Sequence, residues 1–237
     1  MQYRLLTEFE GLFHGRKYIH RDSSRGDWVA MHLYEDLVAL DKSKKLAERV
    51  ASGDWVLNVA NKRQGIKARR GDGTFGELVP GETPVSDAGF NVRRGKIATV
   101  EIGSEVKILA KAMIKQIDRV IGDLTKQVAE FKKGGGSSKP ICVGVVGINH
   151  AIYTTGYEGE RANKTDGSKH KHPIQEAAEA ERRLLEHAAP HFDQFIVLRY
   201  AATNEEPFPY SWVDKRDTEQ HYGAALLRIC REYDTRF

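Results

Sequence analysis

The succession of patterned segments predicts an α/β protein with a mixed β-sheet flanked by α-helices. Three observations carry that expectation. Helical and strand-like runs alternate along the chain. The stretch AKAMIKQIDRVIGDLTKQVAEFKK places apolar residues at 113, 117, 120, 121, 124, 128 and 131, the stripe of a long amphipathic helix. PICVGVVGINHAIY is an apolar run too short for a bilayer and reads as a buried strand. No internal repeat and no linker divides the 237 residues, so one domain over 1–237 is expected, with a core at about 27–150 and a C-terminal α/β extension at 151–237.

The elements follow in order. DWVAMHLYEDLVAL spaces Val29, Leu33, Leu37 and Leu40 helically, and KSKKLAERV continues the pattern with a charged outer face, predicting a helix from about Asp27 to Val50 with a break near Lys42. Because Leu33 and Leu37 mark the buried stripe, Glu35 and Asp36 are expected to face water. A strand is expected at Trp55–Val59, followed by a basic, glycine-rich stretch without a period. DAGFNVRRGKIATVEIGSEVKIL reads as two antiparallel strands turning at Arg94-Gly95. After the long helix, GGGSSK is a flexible connection and residues 154–173 a polar loop. A helix from Pro173 to Ala189, a strand FIVLRYAAT, a proline-containing connection and a final helix DTEQHYGAALLRICREYDTRF complete the chain.

Composition narrows the function classes. Mean hydropathy is −0.53 and no apolar run nears the roughly 20 residues of a membrane span, so no membrane partner is expected. The opening MQYRLLTEFEGLF holds acids where a signal peptide has an apolar stretch, which points to the cytoplasm. Cys142 and Cys230 are the only cysteines, read as core thiols rather than a disulfide or zinc framework. The histidines of SKHKHP and His150 fit no common zinc spacing. GDGTFG and GGGSSK lack the strand–loop–helix setting and Gly-Lys-Ser/Thr ending of a phosphate loop. Net charge is only +4, yet Lys62, Arg63, Lys67, Arg69 and Arg70 crowd into nine positions beside glycines, a composition suited to phosphate and guanine contacts on DNA.

One strand is unusual. In VEIGSEVKIL, Val100, Ile102, Val106 and Ile108 share an apolar face, whereas Glu101, Glu105 and Lys107 share the other. With an acid upstream, Asp87 in SDAGF, and a helix and an apolar strand downstream, the arrangement resembles the core of the PD-(D/E)XK nuclease superfamily, whose fold is restriction-endonuclease-like. The resemblance covers about residues 27–150. It departs from the family at the first acid, where Ser86 stands in place of the proline; Asp72 in RRGDGTFGE is the rival acid and Glu82 a weaker one.

The resemblance implies a Mg²⁺-dependent endodeoxyribonuclease, with Mn²⁺ able to substitute, that cuts duplex DNA as a restriction or anti-phage enzyme and works as a homodimer. Phosphodiester hydrolysis calls for a hard cation on carboxylate oxygens, to polarise the phosphate and acidify the attacking water. On this pattern Asp87, Glu105 and Lys107 are the catalytic set; Asp87, Glu105 and the Val106 carbonyl hold the metal, with Glu101 and Glu35 as auxiliary candidates. Lys107, two residues beyond Glu105, lies about 6 to 7 Å along the strand and can orient the water or offset phosphate charge. Lys115 and Gln116 stand where some members place a phosphate-contacting residue, although helix surface is their plainer reading. The alternative is a nucleic-acid-binding module that keeps this fold without catalysis.

Overall fold

The computed structural model describes residues 2–20, 22, 24–58, 71–158, 161–168 and 171–237. The first helix, α1 (Arg4–Gly11), has no counterpart in the sequence reading. The expected long helix is two: α2 (Ser24–Leu40) and α3 (Lys44–Ser52). They part where Asp41 takes a positive φ of 50° and Ser43 Oγ caps α3 by accepting from the Leu46 N–H at 3.1 Å.

β1 (Trp55–Asn58), β2 (Gly73–Glu77) and β3 (Ile102–Leu109) form an antiparallel meander. α4 (Met113–Gly134) then crosses to β4 (Ile141–Asn149), which runs parallel to β3. Further out, β7 (Gln194–Ala202) pairs parallel to β4, and β8 (Tyr210–Trp212) antiparallel to β7. The six-stranded mixed sheet therefore has the order β1-β2-β3-β4-β7-β8. Between β4 and β7 the chain forms a two-stranded ribbon, β5 (Thr154–Glu158) and β6 (Arg161–Thr165), and then α5 (Pro173–His187); α6 (Lys215–Arg236) closes the described chain. The expected mixed sheet flanked by helices is present.

The faces of the sheet are covered from both sides. β4 is buried along its whole length, as its unbroken apolar run requires. One core joins α1, α2, α3 and α6 to the sheet, and a second joins α4 and α5 through Met113, Ile117, Leu124, Phe131 and Leu184. Phe131 packs over Gly103, where an added Cβ would come within 2.4 Å of its ring. That approach brings α4 down on the face of β3 that carries Glu105 and Lys107.

Three expectations give way. The antiparallel pair turning at Arg94-Gly95 is absent: residues 79–101 hold only isolated bridges such as Val85 with Arg94, and the strand paired with β3 is the GTFGE segment instead. The polar loop contains the β5–β6 ribbon, and the proline-containing connection contains β8. Each misreading has one cause: tertiary partners make strands of segments too glycine-rich or polar to show period-2 patterning. Cys142 and Cys230 are free and buried, and desolvation pushes both thiols up to about 11, consistent with inert core residues.

Candidate metal and phosphate centre

Gly71 turns the chain into β2 with φ +73°, and a Cβ there would meet the Phe131 ring at 2.6 Å. Asp72 follows. The β2–β3 register pairs Gly73 with Ser104, so one step further Asp72 stands opposite Glu105. The Asp72 N–H donates to the Ser104 carbonyl at 3.2 Å, and its Oδ2 accepts from the Val106 N–H at 2.7 Å. Directly opposed side chains on antiparallel strands lie about 5 Å apart at Cβ. In an extended residue N–H and C=O point to the same strand edge, so the Val106 carbonyl also faces the β2 side, beyond the end of β2.

The Lys107 ammonium sits 2.5 Å from Glu105 Oε1. Burial works against its charge, but Glu105 and, at longer range, Asp72 and Asp123 outweigh burial and hold its pKa above the ordinary lysine value. Lys107 is therefore a fixed cation at neutral pH. Asp72, Lys107 and Asp123 line a cleft of about 340 Å³. Glu105, only 6 % exposed, does not line it and is joined to it through Lys107. Asp123 escaped the sequence reading, although Gln116, Val120, Asp123 and Gln127 follow helical spacing and interleave polar residues with the buried stripe of α4.

The cleft is also lined by Tyr18, His20, Asp22 and Arg25, from a segment without a periodic signal. Burial, assisted by Lys111 and Arg25, lowers the His20 pKa to about 4, so the imidazole is neutral near pH 7. Both of its ring nitrogens are shielded from water and have no hydrogen-bond partner among the described residues.

The remaining sequence candidates lie elsewhere. Asp87 is in the irregular 79–101 segment, in a bidentate ion pair with Arg94 whose hydrogen bonds and charge, against some desolvation, hold its pKa below the usual carboxylate range. It does not line the cleft; Asp72 occupies the place expected of it. Glu82 pairs with Lys96.

Glu101, in line for an auxiliary role, accepts from Arg49 at 2.7 Å, from Trp55 at 2.9 Å and from the Tyr233 hydroxyl. Glu35 and Asp36 do not face water: each is 1 % exposed. Glu35 accepts the Asn91 and Val92 N–H groups at 2.9 and 2.8 Å, and Asp36 accepts those of Arg4 and Leu5 at the start of α1. Both are anchors for neighbouring backbone. Lys62, Arg63, Lys67, Arg69 and Arg70 lie outside the described residues.

Among the described residues no group of three or more His, Cys, Asp or Glu side chains is gathered around one metal position. Two carboxylates and a carbonyl, Asp72, Glu105 and Val106, form a different donor set, all oxygen, of the kind that suits Mg²⁺, which is often held by one or two carboxylates together with substrate phosphate. None of the described helices is long and apolar enough to cross a membrane. Comparison with known proteins returns no match: no family model, no curated protein and no solved structure matches this chain.

Proposed function

We propose that the chain is a metal-dependent endodeoxyribonuclease with a restriction-endonuclease-like core. One observation carries the reading. Within the order α2-α3-β1-β2-β3-α4-β4, with β4 parallel to β3, Asp72 stands opposite Glu105 on the neighbouring strand, and Lys107 follows on the same face two residues on. In this reading Asp72, Glu105 and the Val106 carbonyl hold the cation, which supplies Lewis-acid polarisation of the phosphate and an acidified water. Lys107, kept protonated by Glu105, offsets charge building on the phosphate oxygens. Asp123 adds a second carboxylate facing the cleft, placed to set the field around Lys107.

The same reading takes duplex DNA as substrate, a homodimer as the unit that cuts both strands, and restriction or anti-phage defence in the cytoplasm as the role. The test is incubation with plasmid and linear DNA, methylated and unmethylated, with Mg²⁺ or Mn²⁺, beside Asp72→Asn, Glu105→Ala, Lys107→Ala and Asp87→Asn. Metal-dependent cleavage that falls by about 100-fold or more in the first three and persists in Asp87→Asn is the expected result. Cleavage unchanged by Glu105→Ala and Lys107→Ala sinks the reading. DNA binding without cleavage on any substrate leaves the non-catalytic module.

A further inference from the structure

Beside the cleft lies a second chamber of about 540 Å³. The two are continuous: His20, Ile108, Gln116 and Arg119 line both. The chamber's own walls are Lys111 and Lys115, at the β3–α4 junction and the first turn of α4, and Glu158 at the end of β5. Lys111, Lys115 and Arg119 form no ion pair among the described residues. Three cations and one acid, Glu158, therefore line the cavity, and none of the three cations is in an ion pair among the described residues.

Lys111 is placed by the ribbon rather than by the nuclease-like core. Its side chain crosses Gly156 of β5 so closely that a Cβ there would fall 2.0 Å from the Lys111 Nζ. The ribbon in turn is fixed to the His20 segment. Ile19 bridges to Tyr157, Lys17 Nζ lies 3.6 Å from the Tyr157 ring centroid, and buried Asn204 ties the Tyr18 backbone to the Thr155 carbonyl. Residues 18–20 and β5 thus meet as one wall, carrying an imidazole whose two nitrogens lack partners among the described residues. An excess of cations over the one acid, and a ring without a hydrogen-bond partner among the described residues, suit an anionic, hydrogen-bonding group.

We propose that this chamber is a second phosphate site, in which Lys111 and Arg119 bind a phosphate ester and the His20 ring turns to hydrogen-bond to it, one step along the substrate from the bond opened at Asp72, Glu105 and Lys107. Its position along a substrate rests on the nuclease reading; its affinity for phosphate does not. The ester is either the neighbouring phosphodiester of a nucleic-acid strand or the phosphate of a small free molecule.

Binding in EDTA distinguishes these, because no cleavage enters the measurement. The full chain is titrated with inorganic phosphate, with thymidine 5′-monophosphate and with a dodecathymidylate, by calorimetry and by the NMR shifts of the His20 ring. A dodecathymidylate that binds well above the two small probes places a strand in the chamber; small probes that bind as tightly as the oligonucleotide make the ligand a free phosphate ester. In both cases Lys111→Ala weakens binding on the order of tenfold and the His20 resonances move. For the oligonucleotide it also lowers the salt slope by about 0.7. Gly156→Ala, which keeps every charge but displaces the Lys111 ammonium, weakens binding in the same direction. No binding of any probe, or binding by Lys111→Ala and His20→Gln variants equal to wild type while their melting curves are native, overturns the proposal. Lys111-dependent binding in a protein that cuts no DNA with Mg²⁺ sinks the nuclease reading alone. Metal-dependent cleavage with Lys111-independent KM and binding sinks the second site alone.

Discussion

Glu101 and Glu105 lie four residues apart, and strand alternation would put them on one face, yet the fold treats them as different groups: Glu101 sits at a bend ahead of β3, Glu105 within the strand. Glu101 is enclosed by three elements at once: Arg49 of α3, Trp55 of β1 and Tyr233 of α6. Every one of these contacts ties a helix or strand to the sheet, and none opens onto the cleft. Glu105 instead lies under α4 with its Oε1 on Lys107, opposite Asp72 at the end of β2. A carboxylate held by donors from several elements is an anchor. One that shares a strand end with a second acid and a fixed cation beside a cleft has the makings of a centre. Strand alternation would give both the same face; the bend at Glu101, ahead of β3, turns it to the side of α3 and α6, away from α4.

The largest effect that can break this contrast is on activity. Asp72→Asn and Glu105→Ala are expected to lose cleavage by about 100-fold or more with melting curves close to wild type, whereas Glu101→Ala keeps the chemistry per folded molecule. Loss of cleavage in a fully folded Glu101→Ala would make Glu101 part of the centre and end the contrast.

Stability provides the next measurement. Glu101→Ala strips the partner from a largely buried Arg49 and from the Tyr233 hydroxyl, and urea unfolding should fall by about 2 to 4 kcal/mol. Phe131→Ala, which removes the ring over Gly71 and Gly103, belongs in the same series at about 3 to 5 kcal/mol, and it sharpens the contrast by loosening α4 over Glu105 while Glu101 keeps its partners.

A smaller effect comes from His32, 1 % exposed with both ring nitrogens unpartnered among the described residues. Burial lowers its pKa, so between the folded and unfolded values the unfolded chain binds more protons. Its contribution is intact above the unfolded value near 6.5 and is lost as pH falls toward the folded value. His32→Leu should therefore gain stability relative to wild type on going from pH 7.5 to pH 5, read from paired urea titrations. The smallest effect is at Asp87, whose ion pair with Arg94 is partly exposed on both sides. Asp87→Asn should shift stability by less than about 1 kcal/mol, and a large loss of activity there would return it to candidacy over Asp72.

The elements legible in sequence were those with strong periods. The α4 stripe and the β4 run are recovered almost residue for residue, because each buries its apolar pattern against a large neighbour. β2 was illegible: GTFGE carries one large apolar residue, Phe75, and becomes a strand because β1 and β3 pair with it on either side. That one omission hid the strand-end position of Asp72 across from Glu105, which exists only if β2 does. Glu35 and Asp36 were misjudged for a related reason. A helix covered by α1 and by the 89–92 segment has no water side at those positions, and their carboxylates are retained by backbone N–H groups that no local pattern announces.

By itself the sequence determined the mixed α/β architecture, the charged strand face with Glu105 beside Lys107, and the amphipathic helix that follows it, because side-chain period and apolar content are local properties of the chain. Only the tertiary structure decided that Asp72 rather than Asp87 stands across from Glu105, that Glu101 is locked into an anchor, and that His20 and the β5–β6 ribbon wall a second chamber. Those outcomes depend on which strands pair and in what register, and pairing is settled by contacts between residues tens of positions apart, where no local pattern reaches.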